Sequence, residues 1–285
     1  MAKRRGNAML PEKKHIIAEI REALAEDIGT GDVTALLLPR ELTVTAKIIS
    51  REAMLICGIP WVEAVFAEID PEIELSWQVR EGCFLSEPTT LCLLRGNARS
   101  LLTAERTALN FMQMLSATAT QTYRFLECLK GYKTRLLDTR KTLPGLRMAQ
   151  KYAVACAGGL NHRFGLYDAF LIKENHIKAC GSIKRAVAKA KEIRSDLLIE
   201  VEVETLEEFE EALSARPHRI LLDNFSLDMI KKAVAMNQPK NCELEASGGI
   251  HLETVSQFAE TGVDYISVGS ITKSIKAIDL SLLVE

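Results

Sequence analysis

Leu197-Leu198-Ile199-Glu200-Val201-Glu202-Val203, then an amphipathic stretch from Leu206 to Leu213, then Arg219-Ile220-Leu221-Leu222 followed by Asp223-Asn224, form one repeating unit of this chain. Short apolar runs rich in β-branched residues read as strands, and the three- and four-residue spacing between them reads as a helix. The same rhythm extends in both directions from Lys133 onward. The other strand candidates are Thr134 to Leu137, Ala169 to Ile172, Glu243 to Ala246 and Asp264 to Val268. Helical stretches fall near Gly145–Cys156, Ile183–Ile193, Leu227–Ala235 and Leu252–Glu260. Alternation of this kind implies a parallel sheet with crossover helices. Helices on one side would curl the sheet toward a barrel, and helices on both would leave it open and doubly wound; periodicity alone leaves both. The strands number six where a complete barrel has eight, so two are hidden or the barrel is incomplete.

Before Leu115 the elements are mixed. Lys14 to Ala25 reads as an amphipathic helix, Gly29-Thr30-Gly31-Asp32 as a turn, Thr43 to Ser50 as a strand and Leu91 to Leu94 as a short one. Ala98 to Tyr123 reads as a long helix. A length of 285 residues suits one large or two modest domains. A hydrophobic fraction of 47% and a charged fraction of 26% exclude disordered and fibrous classes. The net charge of −2 gives no global attraction to nucleic acid or membrane, so any basic site is local. No stretch is long and apolar enough to cross a bilayer. The basic start Met1-Ala2-Lys3-Arg4-Arg5 is followed by no apolar run. The seven cysteines are odd in number and none has Cys-x-x-Cys spacing, which favours reduced thiols and a cytoplasmic setting.

Ligands of parallel α/β domains bind at the carboxyl ends of the strands. Every candidate strand here ends in charged or glycine-rich residues. In order they are Asp138-Thr139-Arg140-Lys141-Thr142, Lys173-Glu174-Asn175-His176, the acids Glu200, Glu202 and Glu204, Asp223-Asn224, Ser247-Gly248-Gly249 and Gly269-Ser270. From Asp138 to Lys178 there are seven Lys/Arg and three Asp/Glu, an excess suited to an anionic ligand. Arg147, Lys151 and Lys178 are read as a solvated face, and Arg140, Lys141, Arg163 and Lys173 as a converging site. Alternation puts Glu200, Glu202 and Glu204 on one strand face, roughly 6.5–7 Å apart in sequence order. Acids on a strand buried on both faces need cations or a metal, and Glu202 is the leading candidate. Asp223 alone would be a cap or turn residue. With Glu202 on a neighbouring strand it outlines a Mg²⁺ site. Ser247-Gly248-Gly249 and Gly269-Ser270 suit close approach of backbone N–H groups to a phosphate. His162, beside Arg163, is assigned to ligand contact. Arg106, in an otherwise apolar helix, reads as a local partner of Glu105.

Taken together, the run Asp138 to Arg147, Lys151-Tyr152-Ala153-Val154, Asn161-His162-Arg163 and Leu171 to His176 resembles the quinolinate phosphoribosyltransferase family. Glu26 to Thr34, Glu105-Arg106-Thr107-Ala108-Leu109-Asn110, Glu200-Val201-Glu202, Leu222-Asp223-Asn224 and Ser247-Gly248-Gly249 complete the match, which covers nearly the whole chain in order. Ala157 and Ser116-Ala117-Thr118-Ala119-Thr120 depart from the usual pattern at uncharged positions.

The resemblance implies an α/β fold of two domains. Residues 1–115 would form an α/β sandwich rejoined by the tail 271–285, and residues 116–270 an incomplete α/β barrel. It implies a cytoplasmic homodimer that transfers the phosphoribosyl group of phosphoribosyl pyrophosphate (PRPP) to quinolinate in NAD synthesis, releasing pyrophosphate and CO₂. Arg140, Arg163, His162 and a partner-supplied Arg106 would hold the two carboxylates, which reverses the local reading of Arg106. Lys141 and Lys173 would meet phosphate oxygens, with Thr142 in the same substrate-binding set. Glu202 and Asp223 would hold Mg²⁺ and ribose, and Ser247, Gly248, Gly249, Gly269 and Ser270 would cradle the 5′-phosphate. The rival readings are a related phosphoribosyltransferase such as a nicotinate enzyme, a lyase with Lys173 as Schiff-base amine, and a non-catalytic phosphometabolite binder.

Overall fold

The structure, a computed structural model, describes residues 10–285; the basic start Met1–Arg5 lies outside the described residues. Two compact units divide the chain. The first comprises the chain through Tyr123 together with Thr142–Gly158 and Ile271–Glu285. The second comprises Arg124–Lys141 and Gly159–Ser270.

In the first unit the elements begin with α1 (Lys13–Ile28), β1 (Thr43–Ser50), β2 (Met54–Leu55), α2 (Ile59–Ile69), β3 (Glu74–Trp77), β4 (Phe84–Leu85) and β5 (Thr89–Asn97). Helix α3 (Ala98–Cys128) then runs without a break through Leu115, so the change of rhythm there marks no end of an element. Apolar residues at four-residue spacing, Ile16, Ile20 and Leu24, turn one face of α1 inward. Trp61, Val62, Val65 and Phe66 do the same for α2. Along β1, Ala46, Ile48 and Ser50 alternate inward, the period of a half-buried strand. The departures at Ser116 and Thr120 have a structural role. The Ser116 hydroxyl accepts from the Cys57 N–H and donates to the Cys57 carbonyl, and Thr120 accepts from the Leu55 N–H. Buried polar side chains one helical turn apart thus satisfy a buried stretch of backbone.

The second unit opens with β6 (Arg135–Leu137). After α4 (Arg147–Cys156), which belongs to the first unit, come β7 (Ala169–Ile172), α5 (Glu174–Cys180), α6 (Ile183–Ile193) and β8 (Leu198–Val203). They are followed by α7 (Leu206–Ala215), β9 (Arg219–Asp223), α8 (Leu227–Met236), β10 (Glu243–Ser247), α9 (Val255–Glu260) and β11 (Tyr265–Ser267). The chain finishes with α10 (Ser270–Lys273) and β12 (Leu280–Val284). Strand β12 returns to the first unit as the edge of an antiparallel sheet ordered β12-β1-β5-β3. Ser182, Thr205 and Ser226 cap α6, α7 and α8, each accepting from the N–H three residues on.

The six predicted parallel strands all form, and their order decides the architecture. The sheet runs β6-β11-β10-β9-β8-β7, with β7 through β11 neighbouring in sequence order and β6 beside β11. That is the cyclic order of a barrel, cut between β6 and β7; a doubly wound sheet would reverse direction at a switch point. The barrel is incomplete and no further parallel strands are hidden among the described residues. In place of a β6–β7 pair, the segment after Gly159 lies beside β6: Leu160 N–H donates to Leu136, and Asp138 N–H donates to Leu160.

Strands β8, β9 and β10 are buried along most of their length, as expected where helices cover a parallel sheet. The helices contribute Ile183, Ala186, Val187 and Ala190 from α6, Phe209 and Ala212 from α7, and Ile230 and Ala233 from α8. Phe209 has no exposed surface. Phe209→Ala is expected to cost about 3–5 kcal/mol through lost burial and a residual cavity, read from the urea unfolding curve. An unchanged curve would show that α7 is not anchored through this ring.

Candidate active site

The carboxyl ends of the parallel strands surround a cavity of ≈390 Å³ built wholly from the second unit. After β6 come Thr139, Arg140 and Lys141; His162 and Arg163 arrive on the segment beside it; Lys173 follows β7. Glu202 lies on β8, Asp223 ends β9, Glu245 and Ser247 lie on β10, and Ser267 ends β11.

Local hydrogen bonds set these side chains in place. Asp138 is fully buried; its carboxylate accepts from Asn161 Nδ2 at 2.6 Å and from the His162 N–H at 2.8 Å. It therefore pins the segment that carries His162 and Arg163. The Lys173 N–H donates to His176 Nδ1 at 3.0 Å, which fixes the turn into α5. Asn224 has a left-handed backbone (φ 56°), donates its N–H to Ser247 O, and donates Nδ2 to the Asp223 carboxylate at 3.0 Å. Gly269 lies against Lys141: a Cβ there would come within 2.9 Å of Lys141 Cδ.

The cavity collects like charges that need an opposite one. Burial lowers the Arg163 pKa, and the neighbouring guanidinium of Arg140 lowers it further. On the other side, burial raises Asp223, and the nearby Glu202 carboxylate adds to that. Lys173 Nζ meets Glu202 Oε2 at 2.5 Å. Four cations facing a small cavity favour a polyanion through charge-assisted hydrogen bonds. The two neighbouring carboxylates form an all-oxygen donor set that suits Mg²⁺.

Under the cavity floor lies a buried ionic array. His162 Nδ1 accepts the Arg163 N–H at 2.8 Å, so the ring proton of the neutral imidazole is on Nε2. Nε2 faces Glu200 Oε2 at 2.8 Å and Glu245 Oε2 at 3.7 Å. Arg219 reaches Glu245 at 3.2 Å and Glu243 at 3.1 Å, and its guanidinium stacks 4.0 Å from the Tyr265 ring centre. Burial pushes Glu200 up, to about 6, an effect that Arg219 partly offsets.

The expected site residues divide as follows. Arg140, Lys141, His162, Arg163, Lys173, Glu202, Asp223 and Ser247 come together in the cavity wall, with Gly248 and Gly249 continuing from Ser247. Gly269 backs Lys141, and Ser270 begins α10. Arg106 and Thr142 belong to the first unit. Arg106 is exposed and lies 3.9 Å from Glu105, and Thr142 accepts from Arg147 Nε. Glu200 is fully buried, whereas Glu204 is exposed beyond the end of β8, so the three alternating acids have three different environments. Lys151 corrects the reading of a solvated face: it is completely buried within α4. Sequence reasoning missed Glu245, Arg219 and the anchoring role of Asp138. The alternation Glu243-Leu244-Glu245 was a signal for the first, but its meaning depends on the strand order.

An open parallel barrel with such a cavity at its strand ends defines an enzyme of small polyanionic metabolites. The chain matches the quinolinate phosphoribosyl transferase N-terminal domain over residues 32–116 and the C-terminal domain over 118–283. A probable nicotinate-nucleotide pyrophosphorylase [carboxylating] of Bacillus subtilis is 42% identical over 258 residues, covering 90% of this chain and 89% of that protein. The nicotinate-nucleotide pyrophosphorylase [carboxylating] of Mycobacterium leprae is 40% identical over 269 residues, covering 92% and 95%. The structure of the Francisella tularensis nicotinate-nucleotide pyrophosphorylase superimposes with a TM-score of 0.92 at 47% identity, covering all of both chains. This chain belongs to the quinolinate phosphoribosyl transferase family.

The Ser247-Gly248-Gly249 turn offers a steric test. A Cβ on Gly248 (φ +94°) would lie 2.1 Å from Asn224 Oδ1 and 2.9 Å from the Asn224 backbone nitrogen. Gly249 (φ +60°) has nothing within 4 Å. Gly248→Ala should cost about 1–3 kcal/mol and abolish the binding of a sugar 5′-phosphate by calorimetry, because backbone cannot move aside. Gly249→Ala should cost only about 1–2 kcal/mol, from backbone strain alone, and retain binding.

Proposed function

We propose that this chain transfers the phosphoribosyl group of PRPP to quinolinate with loss of CO₂, the step that makes nicotinate mononucleotide for NAD. The observation that carries the reading is the convergence of Arg140, Lys141, Arg163 and Lys173 on one cavity that also holds Glu202 and Asp223. Arg140 and Arg163, with His162 at the floor, form a pocket for the carboxylates, since guanidinium groups match carboxylates in bidentate geometry. Lys141 and Lys173 meet the phosphate and pyrophosphate oxygens. The Ser247-Gly248-Gly249 turn, with Gly269 and Ser270, receives the 5′-phosphate. Thr142 belongs to the same substrate-binding set.

The pyridine nitrogen attacks the anomeric carbon as its bond to pyrophosphate breaks, and pyrophosphate leaves with the electron pair. Glu202 and Asp223 stabilise the positive charge that develops on the ribose, so positioning and electrostatics replace a protein nucleophile. The bond from the ring to the 2-carboxylate then breaks, CO₂ leaves, and the pair left on the ring carbon takes up a proton. Glu202 and Asp223 are also the residues that would hold Mg²⁺, which would supply charge neutralisation for the departing pyrophosphate. The seven free cysteines are in keeping with a cytoplasmic setting, and no helix of the described residues is long and apolar enough to cross a membrane. A lyase using Lys173 as a Schiff-base amine fits less well. That amine is half-exposed and paired with Glu202, whereas a neutral nucleophilic lysine needs a desolvated pocket.

Purified protein given quinolinate, PRPP and Mg²⁺ should release pyrophosphate and CO₂ in equal amounts and leave nicotinate untouched. Turnover of nicotinate instead would overturn the substrate assignment. Lys141 is exposed, so Lys141→Ala should lower turnover by about a hundredfold or more. Its stability should change by less than about 0.5 kcal/mol. Equal loss of fold and activity would remove its catalytic role.

The working form is a homodimer in which the partner subunit's Arg106 completes each carboxylate pocket. Arg106→Ala and Lys141→Ala proteins, each inactive alone, should regain about a quarter of wild-type activity when unfolded and refolded together in equal amounts, because half the dimers then carry one intact site. No recovery would place Arg106 outside the partner's site.

A further inference from the structure

Asn224 takes no part in the transfer itself, yet its side chain stands between Asp223 and the Ser247-Gly248-Gly249 turn. Its backbone is placed by the sheet. Asp223 is in register with Ser247, and the N–H of Asn224 donates to Ser247 O at 2.9 Å, so β9 and β10 stay paired up to the edge of the cavity. There the chain turns away with Asn224 left-handed at φ 56°, and two residues on Ser226 caps α8. Asparagine tolerates that region better than most residues, but glycine enters it at no steric cost. The turn alone therefore gives no reason for a side chain at this position.

The amide group gives one. A carboxylate only accepts, so the amide nitrogen faces Asp223, with Nδ2 3.0 Å from Asp223 Oδ2, and the amide oxygen points away. That oxygen fills the space beside Gly248. A Cβ on Gly248 would lie 2.1 Å from Asn224 Oδ1 and 2.7 Å from Asn224 Cγ. One planar amide is thus wedged between the carboxylate and the glycine turn. Asn224 is exposed, so its hydrogen bond adds little to the stability of the fold. What the amide fixes is direction and spacing.

We propose that Asn224 is a positioning residue that ties Asp223 to the Ser247-Gly248-Gly249 turn, so that the ribose and the 5′-phosphate of PRPP are received at one fixed spacing. The inference rests on the reading of Asp223 as a ribose contact and of the turn as the phosphate cradle. Nδ2 engages Oδ2 of Asp223 and leaves Oδ1 for the sugar. Without the amide the Asp223 carboxylate is free to rotate, and space opens beside Gly248 into which the turn can shift. Ligand binding must then order both groups, at a cost in affinity. The loss falls on PRPP and spares quinolinate, whose carboxylates meet Arg140 and Arg163.

The test uses Asn224→Gly, which keeps the left-handed backbone and removes the amide, and Asn224→Asp, which keeps shape and turn preference but replaces the donor with an acceptor. Affinity for ribose 5-phosphate, measured by calorimetry without Mg²⁺, should fall about tenfold or more in each variant. In steady-state assays KM for PRPP should rise about tenfold or more while KM for quinolinate stays within about twofold. A purely structural role would lower kcat through lost folded protein and leave both KM values alone, and that result would overturn the proposal. Ribose 5-phosphate bound by Asn224→Gly as tightly as by wild type, or no binding by wild type, would overturn it as well, as would KM values for the two substrates that rise together. Wild type that binds ribose 5-phosphate, loses affinity in Asn224→Gly and yet does not turn over quinolinate would sink the functional reading and leave the role of Asn224 standing.

Discussion

Parallel pairing of β8, β9 and β10 sets both the register of the sheet and the chemistry beneath the cavity. Arg219 is in register with Glu200 on one side and Glu243 on the other, while Glu245 lies opposite Leu221 two pairs further along, on the same face of the sheet. A guanidinium with five donors can serve several carboxylates where a lysine could not. The pairing therefore gathers three acids from two strands around one cation, and the His162 ring lies against two of them. Because His162 precedes Arg163 and follows Asn161, the same array reaches the wall of the cavity through adjacent backbone.

The cavity itself is organised by opposition. Cations arrive after β6, after β7 and on the intervening segment, while Glu202 and Asp223 occupy the middle strands. Burial and then the neighbouring Arg140 lower Arg163, and burial and then the neighbouring Glu202 raise Asp223. Such a cavity is best satisfied by a ligand carrying several negative groups together with a cation, the combination that a dicarboxylate and a pyrophosphate ester with Mg²⁺ would supply. Preorganised charge of this kind is what a transfer without a protein nucleophile requires.

Much of the second unit could be read locally. All six strands lie where apolar runs are bounded by turn or charged residues, and the limits of β7 and α6 agree residue for residue with the periodicity. In the first unit Thr43–Ser50 was equally legible, but α2 was not singled out: Ile59–Ile69 is apolar nearly all round and offers no amphipathic contrast. The two-residue strands β2 and β4 are too short for a period to register. Lys151 shows the limit for charged residues, since a single lysine in a helical stretch carries no local mark of whether its face is covered.

The sequence by itself determined the strand and helix rhythm, the charged or glycine-rich endings of every parallel strand, and through its motifs the family. Those features depend on residues near one another in the chain. Only the tertiary structure decided between a barrel cut open at one point and a doubly wound sheet, because strand order is a long-range property. It likewise decided that Glu200, Glu202 and Glu204, identical and evenly spaced, become a buried partner of histidine, a cavity wall and an exposed surface residue. The fate of a carboxylate is set by what other elements place against it, and burial with opposite charge is a matter of space rather than of spacing.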